Sequence, residues 1–401
     1  MRSRDPSSSS VVGGHVAPGF EVVREAFEEN FAREGEVGAA FAAWVDGVPA
    51  VDLWAGLADR RRGMPWGEDT LVGVFSGTKG LVATCLLLLL ERQLLDLDAP
   101  VCRYWPEFGA AGKEGLLVRD LVSHQAGLPG LLTPVTIEGA TDDVRISQLL
   151  ADQAPITAPP DGPIYHALTF GWLCGALIRH LDGRTVGRFL AEEVAAPLGL
   201  EVWIGLPDRQ EQRVAVIERS DAFERKRDDV AGSADEVAWT IWGNPPRFAG
   251  ADLAANSRAW HAAEVPATNG IVSVRSLARL YGCLARGGEI DGVRLVSEPT
   301  VTAARRCLSR GYDPYLETPI AFGTGFQLQT SEAPFGPPAD AFGHAGAGGS
   351  IHGAWPRLRT GFSYGPNLLG RLSAADPRAQ SLLAALHAAV RPTVGDPIPP
   401  P

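Results

Sequence analysis

Apolar residues recur at helical spacing over residues 20–33, where Val22, Val23, Phe27 and Phe31 line one face behind early acids. That spacing predicts an amphipathic helix. Two β-like runs follow, residues 37–45 and 48–57, around Asp46-Gly47. Asp-Gly between apolar runs predicts a β-hairpin. A short third run, 70–75, leads into Ser76. From Gly77 the pattern changes: Leu81, Val82, Cys85, Leu86 to Leu90, Leu94 and Leu95 make it apolar almost all round. Such a helix is buried on every side.

Residues 100–266 read as largely helical, broken by Pro- and Gly-rich loops. Helices are expected at 118–123, 143–152, 168–181 and 186–194. Residues 218–269 show no period and are rich in tryptophan (Trp239, Trp242, Trp260), which suggests a long insertion or lid. Two further helices, 276–285 and 298–308, precede β-like runs at 321–329, 341–355 and 359–364. A final amphipathic helix is expected at 377–390, then a Pro-rich extended tail. No internal repeat is visible. The chain therefore reads helix, strand, strand at its front and strands, helix at its back. The simplest architecture is an α+β fold. One antiparallel sheet, flanked by helices, is built from both chain ends, residues 18–80 and 266–391. A mainly helical domain, 81–265, is inserted between them and carries the lid-like segment. Residues 1–17 and 392–401 are expected to be flexible tails.

Composition narrows the function. The 401 residues are 45% hydrophobic and 21% charged, which excludes a disordered chain. A net charge of −11 without a basic run disfavours nucleic acid and an electrostatic membrane anchor as partners. The longest strongly apolar uncharged stretch, 80–90, falls well short of the roughly 20 residues of a membrane helix. Residues 1–10 lack an apolar core and suggest a frayed tail instead of a signal peptide. The five cysteines (Cys85, Cys102, Cys174, Cys283, Cys307) are scattered, with no CxxC pair. They are expected to be buried thiols in a reducing compartment, which implies a cytoplasmic protein. No histidine shows metal-ligand spacing, and no metal or organic cofactor is expected.

Only three lysines occur, Lys79, Lys113 and Lys226. Arginine keeps its proton in a protein, whereas a buried lysine can lose it. Lys79 follows Ser76 by three residues at the start of the buried helix, so both fall on one helical face. The helix N-terminus also favours developing negative charge. Together these suggest a serine nucleophile with a lysine base. An isolated S-x-x-K fits an N-cap serine and a snorkelling lysine equally well. Partners sharpen the choice. Tyr165, just before a helix, can relay a proton, and a nearby ammonium would help it ionise. Residues 342–350 form a strand that turns glycine-rich after His344, so a substrate can lie against its backbone. The plain alternatives are an aromatic packing residue and a strand ending in a turn.

The ordered set Ser76-Gly77-Thr78-Lys79, Tyr165, His344-Ala345-Gly346 resembles the class C β-lactamase-like serine hydrolases, and among them the family VIII carboxylesterases. Residues 121–129, 165–172, 266–270, 276–281 and 343–350 add to a resemblance that runs from about 37 to 390. It implies the β-lactamase/penicillin-binding-protein-like fold, with the site between sheet and helical domain. It further implies Ser76 as nucleophile, Lys79 as base and Tyr165 as partner in proton transfer. His344 would stand where β-lactamases carry the lysine of Lys-Thr-Gly, hydrogen-bonding near Tyr165 and the leaving group. The N–H groups of Ser76 and Ala347 would form the oxyanion hole beside Gly346. Two departures favour esters over lactams. Ala167 stands where the β-lactamases have an asparagine, and Leu131 where they have a glutamine. A third, Trp355-Pro356 in place of Asp-Pro, is expected at the pocket edge.

The implied activity is a serine carboxylesterase acting on small, short-chain esters. An acyltransferase or peptide-cyclising thioesterase, a β-lactamase or D-peptidase, and a non-catalytic binding module use the same scaffold. An α/β-hydrolase is the rival from another fold, since Gly361-Phe362-Ser363-Tyr364-Gly365 is a literal G-x-S-x-G followed by Asp376 and His387. Too little chain follows it for the further βα units that such a fold needs.

Overall fold

The computed structural model describes residues 12–157, 162–224, 235–249, 252–370 and 375–390. Five helices frame the molecule: α1 (Glu21–Arg33), α2 (Thr78–Glu91), α3 (Thr169–Asp182), α4 (Val274–Ala285) and α5 (Pro377–Val390). The main sheet holds β1 (Gly13–Val16), β2 (Gly38–Val45), β3 (Val48–Asp59), β4 (Ser309–Asp313) and β5 (Thr318–Phe322). It continues with β6 (Gln327–Leu328), β7 (Phe342–Ala345), β8 (Ile351–Trp355) and β9 (Thr360–Pro366). Their order is β1-β3-β2-β9-β8-β7-β6-β5-β4, and Met64–Pro65 adds a short pair along β3. Every neighbouring pair is antiparallel. The fold is that of β-lactamases and penicillin-binding proteins, an antiparallel sheet with helices.

The β2–β9 ladder, from Val45↔Thr360 to Ala39↔Pro366, joins the front of the chain to its back. The β2–β3 hairpin turns on Asp46 and Gly47, both at positive φ (49° and 83°). Asp-Gly tolerates that geometry, as a two-residue hairpin turn requires. Alternation along β2 sorts the two faces of the sheet. Ala39, Phe41 and Ala43 join a core with Phe27 of α1 and Leu382, Leu383 and Leu386 of α5. Ala40, Ala42 and Trp44 instead meet Val274 and Ala278 of α4. Gly361 of β9 lets α4 lie close, since a Cβ there would sit 1.9 Å from the Gly282 nitrogen.

The third core is helical. Residues from Thr78 to Leu89 of α2 are all buried, packed with α3, α4 and the helices between. Among the described residues no helix is long and apolar enough to cross a membrane.

Three expectations change. Residues 13–16 are not a tail but the edge strand β1, paired with β3 from Gly13↔Trp54 to Val16↔Val51. Gly13 and Gly14 permit it, because a Cβ on either would run into Trp54 or the Asp52 carbonyl. Residues 1–11 and 391–401 lie outside the described residues. The helix expected at 298–308 stops at Ala304, and the polar run 309–313 is strand β4. The apolar run 341–355 is a hairpin, β7 and β8, around a glycine turn. The lid-like segment is described at 218–224, 235–249 and 252–269, where it forms only short helical turns and a two-residue strand.

Between sheet and α5 lies a buried ionic cluster. Arg378 donates to Glu36 (3.0 Å), to both Asp376 oxygens (3.0 Å each) and to the Gly348 carbonyl (2.7 Å). Tyr364 donates to Glu36. Burial raises the pKa of Glu36, and the Arg378 charge opposes that rise. Replacing Arg378 by Met would strand two buried carboxylates, at a cost of about 3–5 kcal/mol. The Arg378→Met variant should therefore unfold at a clearly lower denaturant concentration in a circular-dichroism titration.

Candidate active site

Ser76 lies on the turn into α2. The chain arrives through Val74, whose N–H donates to the Gly270 carbonyl at 2.9 Å, and through Phe75, which bridges Asn269. Phe75 is held at φ 46°, a left-handed conformation that a bulky residue seldom adopts. The Thr78 hydroxyl donates to the Phe75 carbonyl (2.5 Å) and accepts the Gly270 N–H (2.8 Å), which locks the turn. Gly77 allows the helix start to rest on His352, since a Cβ there would lie 2.5 Å from that ring. Ser76 stays partly exposed while its neighbours are buried.

Lys79 is wholly buried. Its Nζ donates to the carbonyls of Ala167 (2.8 Å) and Ala267 (3.0 Å) and lies 3.2 Å from Ser76 Oγ. Burial, reinforced by the nearby positive charge of Arg247, holds its pKa well below the ordinary value of 10.5. A neutral amine has two N–H bonds and one lone pair. With both N–H groups on carbonyls, the lone pair is left for the serine hydroxyl.

Tyr165 completes the group. Its ring centroid is 4.9 Å from Lys79 Nζ, and its phenol makes a side-chain hydrogen bond with Ser76. The expected easing of its ionisation does not occur. Burial raises the Tyr165 pKa, and the Ser76 hydrogen bond and Arg247 only partly oppose it. The reason is burial of the phenol itself, which makes the phenolate costly, so the group stays protonated.

The glycine turn after β7 reaches the same place. Gly346 donates to the Ser350 carbonyl at 2.9 Å, and Ser350 Oγ donates to the Val74 carbonyl at 3.4 Å, two residues before Ser76. Ala347 sits partly exposed on this turn. Gly346 has to be glycine, because a Cβ would lie 2.3 Å from the Val74 oxygen. His344 is near Tyr165, with ring centroids 6.1 Å apart, but makes no hydrogen bond to it. Its Nδ1 donates to the Ala345 carbonyl at 2.7 Å, and its buried Nε2 has no partner. Burial lowers its pKa to about 3, so the ring is neutral. His344 thus sits near Tyr165, with Nδ1 engaged locally and Nε2 open.

Other expectations settle plainly. Trp355 is not at the pocket edge. It points into the core beneath α5 and donates Nε1–H to the Phe335 carbonyl at 2.7 Å. Ser363 is buried in β9 and bonds His352 Nδ1 at 2.7 Å, while Asp376 pairs with Arg378, so no triad forms there. Ala167 and Leu131 are both buried and apolar, and serve the site through their backbone carbonyls.

Sequence reasoning missed Asp313. This buried carboxylate at the end of β4 accepts the N–H of Tyr165 (2.7 Å), Tyr315 (2.7 Å) and Leu316 (3.0 Å). An Asp-Pro dipeptide is a turn signal, but nothing local ties Asp313 to a tyrosine 148 positions away. His124, at φ 65°, accepts the His166 N–H at 3.0 Å beneath the Tyr165 ring.

A buried lysine 3.2 Å from a serine, a phenol beside the lysine and a glycine turn alongside meet at one place in the fold. The β-lactamase family profile matches residues 23–386, and the chain belongs to that family. It is 37% identical over 375 residues to the "Esterase/beta-lactamase LipL" of Mycobacterium tuberculosis, covering 90% of this chain and 83% of that one. A solved family VIII carboxylesterase superposes with a TM-score of 0.86 at 36% identity, over 94% of this chain and 99% of that chain. A penicillin-binding protein homologue from Caulobacter crescentus gives a TM-score of 0.85 at 37% identity, with the same coverage. The chain is thus an enzyme of the esterase/β-lactamase hydrolase type.

Asp313→Ala removes the acceptor that holds the Tyr165 backbone. It should cost about 1–3 kcal/mol of stability. At a temperature where the variant is still folded, kcat should fall while fluorophosphonate labelling of Ser76 persists.

Proposed function

We propose that the protein is a serine carboxylesterase that cleaves short-chain esters through an acyl-enzyme on Ser76. The observation that carries this reading is Lys79 Nζ, buried, bound to two carbonyls and 3.2 Å from Ser76 Oγ. Lys79 takes the Ser76 proton on its lone pair, and Ser76 Oγ bonds to the ester carbonyl carbon. The N–H groups of Ser76 and Ala347 receive the oxyanion, with Gly346 leaving room for the substrate beside the strand. Tyr165, neutral at rest, gives its proton to the departing alkoxide as the carbon–oxygen bond breaks. It recovers one from the neighbouring Lys79 ammonium, so that both groups return to their resting state. His344 remains neutral and offers its open Nε2 as an acceptor to the alcohol. Water then repeats the sequence and releases the acid.

The apolar side chains of Ala167 and Leu131 support esters over lactams. Neither can hold the amide of a lactam side chain, and an unpaired polar group in the site weakens binding. All five cysteines are free. Cys85, Cys174 and Cys283 are buried as expected, whereas Cys102 is half-buried and Cys307 exposed. Such free thiols support the cytoplasm as the place of work.

Ser76→Ala and Lys79→Ala should each abolish hydrolysis of p-nitrophenyl butyrate, and Tyr165→Phe should slow it by about 10²–10⁴-fold. A β-lactam panel run beside the esters should give far lower kcat/KM. If Ser76→Ala kept full activity, or wild type took no fluorophosphonate, the serine mechanism would be wrong.

The Lys79 shift sets the pH dependence. Its protonated form is the inactive one, so kcat/KM should rise from acid pH as Lys79 loses its proton. The plateau should be reached well below the ordinary lysine value of 10.5. A profile still climbing near that value would contradict the neutral base.

A further inference from the structure

Residues 239–249 form an arm beside the reaction centre. Asn244 pins it: the side-chain amide donates to the carbonyls of Leu131 and Thr133 (2.8 Å each) and accepts the Val135 N–H (2.8 Å). The Thr240 carbonyl presses on Gly130, where a Cβ would lie 2.2 Å from its oxygen. Ile241 and Trp242 pack into the cluster that contains Tyr165 and Ala167. The Phe248 ring lies 6.1 Å from that of Phe75, the residue before Ser76. One end of the arm thus rests on the tyrosine and the other beside the nucleophile.

Arg247 lies on this arm, with its guanidinium 5.7 Å from the Trp242 ring centroid and 5.1 Å from that of Phe248. Its Nη1 is buried without a hydrogen-bond partner, and among the described residues Arg247 makes no ion pair. Nearly all the other buried and half-buried arginines among the described residues are ion-paired, and the exception, Arg24, donates to two carbonyls. Arg184 meets Asp182, Glu192 and Glu193, Arg213 meets Glu201, and Arg378 meets Glu36 and Asp376. A half-buried cation with a buried N–H group left unpartnered is unfavourable, and two aromatic faces offset only part of that cost. The Arg247 charge is felt at both Lys79 and Tyr165. The same field favours a negative charge brought in beside them.

We infer that Arg247 is an anion anchor and that the ester carries a carboxylate, on its acyl or its alcohol arm, which pairs with the guanidinium. A planar fork of N–H donors suits a carboxylate, and two flanking rings keep competing water away. This rests on the esterase reading above and names its substrate class.

Two matched pairs test it. The acyl pair is mono-p-nitrophenyl glutarate against p-nitrophenyl pentanoate. The alcohol pair is the acetate of 3-hydroxypropanoate against propyl acetate. In at least one pair wild type should favour the anionic ester by about tenfold to a hundredfold in kcat/KM. Arg247→Gln should bring that ratio close to one, and Arg247→Lys should keep part of it. A second measurement needs no variant: millimolar glutarate should slow fluorophosphonate labelling of wild-type Ser76, while pentanamide should not. The inference is overturned if neither pair shows a preference that Arg247→Gln removes, or if glutarate gives no protection. Should wild type cleave none of the four esters and take no label, the esterase reading itself has failed. Should Arg247→Gln fail to fold, the glutarate protection and the Arg247→Lys ratio decide.

Discussion

A primary amine deep in an apolar core is costly to charge, and this chain puts that cost to chemical use. Lys79 is fully buried, and its hydrogen-bonding partners are two backbone carbonyls and one serine. The carbonyls come from different parts of the chain, Ala167 before α3 and Ala267 before α4. Each fixes one N–H and so aims the remaining electron pair. Removing solvent lowers the proton affinity of the amine, and the same removal raises the pKa of the phenol beside it. One physical effect therefore favours a neutral amine and a protonated phenol side by side. The all-apolar character of α2 is what makes the desolvation possible.

The surrounding fold serves this pair by rigid support. The β2–β9 ladder closes the sheet from both chain ends, and the glycine turn after β7 docks on Val74. The Arg378 cluster holds the back of that turn through the Gly348 carbonyl. Asp313 holds the Tyr165 backbone from the far edge of the sheet. Phe75, at a left-handed φ, is kept there by Thr78 and by the strand beside it. Such a conformation costs on the order of 1 kcal/mol or more and persists only where neighbours over-determine it.

Much of this was legible from residues alone, for identifiable reasons. The β2–β3 hairpin was readable because Asp-Gly carries its turn chemistry in two positions. The helices α2, α3 and α5 were readable because their apolar periods are long. Strands β1 and β4 were not, since Gly-Gly-His-Val and Ser-Arg-Gly-Tyr-Asp carry no alternation, and only pairing makes them strands. The glycine run after His344 was readable as a close approach, but its partner, the Val74 carbonyl, was not. The segment bearing Arg247 has no period at all, so its place beside Tyr165 follows from Asn244 gripping a loop more than a hundred residues earlier.

The sequence by itself determined the order of elements, the Ser76–Lys79 spacing and the scarcity of lysine that made Lys79 conspicuous. These are local properties, governed by helical pitch, turn chemistry and residue type. Tertiary structure decided the charge states. Whether an amine or a phenol keeps its proton is set by the water and charge around it, and that environment comes from strands and loops far apart in the chain. It also decided that Arg247 has no ion-pair partner among the described residues, a fact about three-dimensional neighbours that no linear pattern contains.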